Sequence, residues 1–263
     1  MLKIGNTKGL YGRWAEQDAI TYLSELINKN FLTVDAATGK IYPTLRVDIN
    51  SPWYFIKPPT IDCFRHHKIL FDACKILPTR CAECWKVVVA PRTLRDMWKW
   101  REKMIEMDLD SKLGIETRDY VGRLYGSYFY NHGKEAGGEC LKKVLAAVEE
   151  SGIEVVPMHG QKAILKRGCT EIERLFGASD EWEKHLDPES RKIEETINNW
   201  LLTPEAMPRC EPLQLRTYRI WVEWAYKNQD PTYADFLTDT GEEFDLLTPY
   251  VIYNDEFIGD KAE

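Results

Sequence analysis

Seven cysteines are spread through this 263-residue chain, and four of them, Cys63, Cys74, Cys81 and Cys84, fall within 22 residues. Thiolates are soft ligands that hold zinc ions and iron–sulfur clusters, so this is where the sequence offers chemistry. Cys81-Ala82-Glu83-Cys84 is a CxxC pair. A redox CxxC opens a helix after a strand, where the helix dipole lowers one thiol pKa. Here the pair precedes a β-branched run, Trp85-Lys86-Val87-Val88-Val89, a context that fits a metal knuckle better. The three-cysteine spacing also departs from that of radical-SAM enzymes. A helix through residues 61 to 75 would hold Cys63 and Cys74 roughly 16 Å apart along its axis, at about 1.5 Å per residue. Thiolates about 2.3 Å from one metal cannot be so separated, so at most one joins the CxxC. Cys74 is nearer in the chain, and Cys63 is expected to be a buried thiol.

The surrounding elements suggest the remaining ligand. Trp85 to Ala90, ended by Pro91, reads as a buried strand. Thr93 can cap a helix with Leu94, Met97, Trp98, Met104 and Ile105 on one stripe. Candidate strands follow at Lys112 to Glu116 and Arg123 to Tyr130, then a helix from Lys134 to Glu150 stopped by Gly152. The order is βαββαβ, which predicts an α+β protein with a ferredoxin-like antiparallel sheet at its centre. In such a sheet the last strand runs antiparallel beside the first, so its end approaches Cys84. If the last strand is Ile153 to Pro157, His159 arrives there. If it is Lys162 to Lys166, Cys169 arrives, and Gly168 would let the backbone turn closely beside a site.

The predicted metal ligands are therefore Cys74, Cys81, Cys84 and Cys169. One CxxC with scattered single cysteines suits iron–sulfur ligation, and a [4Fe–4S] cluster is favoured with zinc as the alternative. Lys166 and Arg167 would help neutralise a thiolate cluster, and with His159 they are expected to line a polar pocket beside it. His132-Gly133 resembles His159-Gly160 in following a strand, whereas His66-His67 fits a solvated basic helix face. Cys140 lies beside an apolar stripe and reads as a buried thiol. Gly137-Gly138, near a helix start, could admit a ligand to the backbone. No phosphate-binding GxGxxG or GxxxxGK[ST] is present, nor GxSxG or HExxH, so those nucleotide-binding loops, hydrolases and zincins are not supported.

Around this centre the sequence predicts an N-terminal helix and hairpin region, residues 1–80, a core at 81–170, and a helical C-terminal region at 171–263. The net charge of −7 is uneven. From Gln229 to Glu263 there are ten acidic residues and one basic residue, Lys261, so the rest of the chain is near neutral. The acidic tail would repel nucleic acid and could dock a basic protein partner. Lys75 to Lys103 is basic, and an exposed Trp100 there would resemble a single-stranded RNA platform, although RNP-like motifs are missing. No apolar run is long enough to span a bilayer and the N-terminus lacks a signal-peptide core, which together with the odd cysteine count predicts a reduced, cytoplasmic protein. Three functions remain open. The first is an iron–sulfur enzyme or redox accessory protein, the second a zinc-braced module that binds RNA or a protein, and the third a metal-free adaptor whose acidic tail docks a basic partner.

Overall fold

The computed structural model describes residues 7–9, 12–14, 23–30, 32–43, 51–57, 63–72, 74–118, 120–200 and 211–237. Its centre is an antiparallel five-stranded sheet: β1 (Trp53–Lys57), β2 (Cys84–Val89), β3 (Ser111–Ile115), β4 (Tyr125–His132) and β5 (Ala163–Arg167). Their spatial order is β1-β3-β4-β2-β5. The six α-helices with named bounds are α1 (Thr79–Ala82), α2 (Leu94–Met107), α3 (Lys134–Ser151), α4 (Thr170–Phe176), α5 (Pro188–Trp200) and α6 (Glu211–Lys227). A π-type helix spans Phe64–Phe71, a short helix covers 23–28, and two small hairpins pair Thr7–Gly9 with Gly12–Trp14 and Leu32–Val34 with Ile41–Pro43.

The sheet has two chemically different faces because successive strand residues alternate sides. On one face Tyr54, Val87, Val89, Leu113, Ile115, Phe129 and Ala163 join the apolar stripes of α2, α3 and α6 in the main core. On the other face the register brings together Lys86, Tyr130 and Lys166 in one row and Val88, Tyr128, Lys112 and Ile164 in the next. The apolar face explains how the helices are placed. Gly137 of α3 sits so close to the sheet that an added Cβ would lie 2.8 Å from Leu165 Cδ1 and 3.0 Å from Trp85 Cβ. The glycine there serves helix-on-sheet packing and not, as its pairing with Gly138 suggests, access for a ligand.

Helix α2 begins as its sequence dictates. Thr93 Oγ1 accepts from the Asp96 amide while Asp96 Oδ2 accepts from the Thr93 amide, closing a capping box. Its buried stripe is Leu94, Met97, Trp100 and Met104, and Ile105 is exposed. Trp100 is thus core and not a surface platform, and its Nε1 donates to Ser127 Oγ at 2.8 Å. The indole could join the apolar stripe because a strand serine satisfies its one polar atom. The basic residues of this stretch are also dispersed. Arg95 pairs with Asp235, Lys103 with Glu106 and Glu150, and Arg101 lies over the rings of Tyr54, Trp98 and Tyr218.

Residues Ile153 to Pro157 do not form the last sheet strand; within them only Val155 bridges, to Pro91. The strand beside β2 is β5. Pro91, two residues past the end of β2, and Pro157, which closes the 153–157 segment, both lack the amide a central ladder needs. Secondary clusters tie the flanking regions on: Cys74 and Ile76 pack with Leu23, Leu32, Ile193 and Ile197, and Phe71, Leu77 and Cys81 with Ile172, Phe176 and Trp182. Among the described residues, no helix is long and apolar enough to cross a membrane.

Candidate functional site

The polar face of the sheet forms the floor of a cavity of about 810 Å³, within the roughly 300–1,000 Å³ of small-molecule sites. Lys86, Lys112, Tyr128, Tyr130 and Lys166 come up from the sheet. The 116–123 loop between β3 and β4 adds Glu116, Arg118, Tyr120 and Arg123 to the wall. His67 enters from the π-type helix, His159 from the turn before β5 and Glu171 from the start of α4.

Four thiols line this same cavity: Cys63, Cys81, Cys84 and Cys169. Cys63 precedes the π-type helix, Cys81 lies on α1, Cys84 opens β2 and Cys169 caps α4, so four segments converge. They are near enough to influence one another. Burial raises the Cys81 thiol well above its ordinary pKa, and Cys169, Cys63 and Cys84 add to the rise. Burial pushes the Cys84 thiol up to about 12, opposed by Lys86 and reinforced by Cys169 and Cys63. Burial raises the Tyr130 hydroxyl too, with Cys63, Cys169 and Cys84 as further causes. Among the described residues, no group of three or more His, Cys, Asp or Glu is gathered tightly enough to hold a single metal ion.

Cys74 is not brought to this group. It is buried among Leu23, Leu32, Ile193 and Ile197, and burial alone pushes its thiol up to about 12. The helix that separates the two cysteines does so as its geometry requires, but Cys63 is the one left facing the cavity, and it is exposed instead of buried. Chain distance favoured Cys74; the turn between the π-type helix and α1 carries Cys74 into the apolar cluster. Cys169 arrives beside β2 because β5 is the last strand, and the Gly168 amide donates to Cys84 O at 2.7 Å.

The buried ammonium of Lys86 donates to Cys169 Sγ at 3.2 Å. Burial works to lower its pKa, but Cys169 and Cys84 more than offset this and leave it raised. Lys166 lines the cavity in an ion pair with Glu173. Arg167, its neighbour on β5, faces the other way. Its guanidinium donates to Ala82 O at 2.6 Å, Ser179 O at 2.7 Å and Glu183 Oε1 at 2.7 Å, and stacks near Trp85 and Trp182. It is a brace between α1, β5 and the turn at Ser179, not a pocket residue, because strand alternation cannot aim adjacent residues at one side. His159 stands at the rim with φ +49°, in a tight turn closed by Met158 and Gln161. His132 pairs with Glu83 at 2.8 Å and lies outside the cavity lining. His66 is buried and His67 faces the cavity, so this pair is not a solvated face. Cys140 is buried as expected, and Cys210 and residues 238–263 of the acidic tail lie outside the described residues.

The residues missed from the sequence include Lys86, Lys112, Glu116, Arg118, Arg123 and Tyr128. For the two lysines the signal was a charge set before an apolar strand residue: Lys112 before Leu113, and Lys86 before Val87. Tyr128 is the hub. Arg118 Nη2 and Arg123 Nη2 lie 3.1 and 3.3 Å from its hydroxyl, which donates to Glu116 Oε2 at 2.7 Å. Lys86 and Lys112 stand over its ring at 5.9 and 5.7 Å. No family model matches this chain, and neither the curated proteins nor the solved structures contain a match to it.

Proposed function

We propose that this chain is an iron–sulfur protein in which Cys63, Cys81, Cys84 and Cys169 hold a [4Fe–4S] cluster against the cavity, serving as an enzyme or redox accessory protein. The observation that carries this is that four thiols from four separate segments line one cavity and act on one another electrostatically. A polynuclear cluster interposes its own iron and sulfide between the thiolates, so its ligands stand farther apart than those of one ion. Lys86 supports the same assignment, since a buried ammonium bonded to Sγ offsets the charge of a thiolate-ligated cluster. The ligand set differs from the sequence expectation by one exchange, Cys63 for Cys74.

The order β3-β4-β2-β5 with the chain order βαββαβ supports a ferredoxin-like core, to which β1 adds an edge strand beside β3. Free thiols at Cys74, Cys81, Cys84, Cys140 and Cys169 fit the reducing, cytoplasmic setting in which such a cluster is assembled.

The test is anaerobic purification followed by absorption spectroscopy and iron, sulfide and zinc assays. A brown protein with absorbance near ~400 nm, from thiolate-to-iron charge transfer, is expected. Cys63→Ser should lose iron and Cys74→Ser should keep it. One zinc per chain, or iron retained by the Cys81→Ser/Cys84→Ser double variant, would overturn the cluster.

A further inference from the structure

Two cations in the cavity make no ion pair among the described residues, although Arg123 acts on the Glu116 carboxylate through space. Among the described residues, Lys112 makes no ion pair or hydrogen bond. Its ammonium lies 4.0 Å from the centre of the Trp53 ring and near the rings of Phe55 and Tyr128. Arg123 hydrogen-bonds, among the described residues, only to the Tyr128 hydroxyl and Met158 Sδ, and its Nε is buried with no acceptor.

The other charges are accounted for. Lys86 is bonded to Cys169, Lys166 to Glu173, and Arg118 to Glu116 and Glu171. Taking a cation out of water without a counterion is costly. Among the described residues no carboxylate pairs with Lys112 or Arg123, which leaves this end of the cavity complementary to an anion.

Building on the cluster assignment above, we infer that the cavity beside the thiols binds a small organic phosphate, with its phosphate between Lys112 and Arg123 and its organic part along Trp53, Tyr120 and Tyr130. A phosphate monoester carries about −1.5 to −2 charges and three acceptor oxygens. It therefore answers two cations and the open Nε of Arg123, where a monocarboxylate answers one. A guanidinium and an ammonium are the usual pair for this, the first as a planar fork and the second as a point charge. The aromatic side chains give the rest of the ligand an apolar wall, and the cavity volume leaves room for it.

The test is calorimetric titration of the purified, cluster-loaded protein with inorganic phosphate, phenyl phosphate, adenosine monophosphate and benzoate. Both esters should bind, benzoate should not, and binding should weaken as salt rises. Inorganic phosphate binding as tightly as the esters would show that the free ion is the occupant and remove the organic part of the assignment. Lys112→Met and Arg123→Met should each weaken binding by about tenfold or more, the scale of one charge-assisted hydrogen bond, with iron content unchanged. Lys112→Met keeps length and apolar stem on a sheet position, so it tests the site even if the loop variant is unstable. Absence of ester binding in loaded protein, or ester affinity unaltered in Lys112→Met, would overturn the inference. So would iron lost together with binding, because the two cations would then belong to the cluster. Protein that binds ester but holds no iron would leave the phosphate site standing and remove the cluster instead.

Discussion

Lys86 Nζ lies 3.2 Å from Cys169 Sγ, linking the middle of β2 to the residue that caps α4 across the cavity face of the sheet. A buried lysine in the middle of a valine-rich strand has no packing rationale of its own, and methionine would fill its space without a charge. Lys86→Met is therefore expected to leave the stability of cluster-free protein unchanged or raised. Its cluster should be held about 10- to 100-fold less well, the usual cost of losing a partner to a metal ligand. Denaturant unfolding of cluster-free protein and the decay of absorbance under a chelator measure the two effects separately. Equal decay rates in both proteins would detach Lys86 from the thiol site.

Gly168 has φ +60°, and a Cβ there would lie 2.3 Å from Trp182 Cη2. Trp182 is fully buried and its indole nitrogen is bonded to Gly177 O, so the ring cannot retreat. Gly168→Ala should cost about 2–4 kcal/mol from overpacking plus left-handed strain. Because Cys169 follows directly, the variant should also retain less iron. An unaltered denaturant midpoint would show that the turn relaxes freely.

Asp230 is counted within the acidic tail but is buried. It accepts from the Leu94 amide at 2.7 Å, the Tyr125 hydroxyl at 2.6 Å, and the Thr232 amide and hydroxyl at 3.0 and 2.7 Å. The carboxylate thus ties the segment after α6 to the start of α2 and to β4. Asp230→Ala should destabilise by about 3 kcal/mol or more, and Tyr125→Phe by about 1–2, since several charge-assisted bonds are lost in the first and one in the second. Thermal or urea unfolding of both variants checks the ranking.

Burial acts to raise the Glu171 carboxyl, but its own backbone amide, the Tyr120 hydroxyl and Arg118 overcome it and hold the group at about 2. Its folded pKa is below its ordinary value, so its contribution to stability is present above about pH 4.5 and is lost as pH falls toward 2. The buried Glu116 carboxyl, held down by Arg118 and Tyr128 against the effect of burial, loses its contribution in the same direction. Glu171→Gln should flatten the fall in unfolding free energy across that window while lowering stability at neutral pH. Parallel stability profiles for the two proteins between pH 5 and 2 would contradict the assignment.

Much of the sheet was legible because it is written in local patterns. The Val87-Val88-Val89 run, the Thr93 cap and the Gly152 stop each act through neighbouring residues, and each stands where the pattern put it. Misreadings fell where a choice depended on distant parts of the chain. Trp100 and Ile105 exchanged roles because Ser127, on another strand, offers the indole an acceptor. Arg167 left the pocket because the register of β5 on β2 gives that side to Lys166.

The sequence by itself determined the alternation that makes one sheet face apolar and the other carry Lys86, Lys112, Tyr128, Tyr130 and Lys166, since that follows from side-chain period alone. It also limited the cysteine group, because helix rise forbids Cys63 and Cys74 from sharing one site. Which of the two faces the cavity was decided only by tertiary structure. That choice depends on where the π-type helix packs against α4 and α5, through contacts such as Phe71 with Phe176 and Cys74 with Ile193 and Ile197. The pairing of charges was decided the same way: Arg118 finds Glu171 across 53 residues, and among the described residues Lys112 and Arg123 form no ion pair. Such long-range partners are set by packing of whole elements, and no local pattern encodes them.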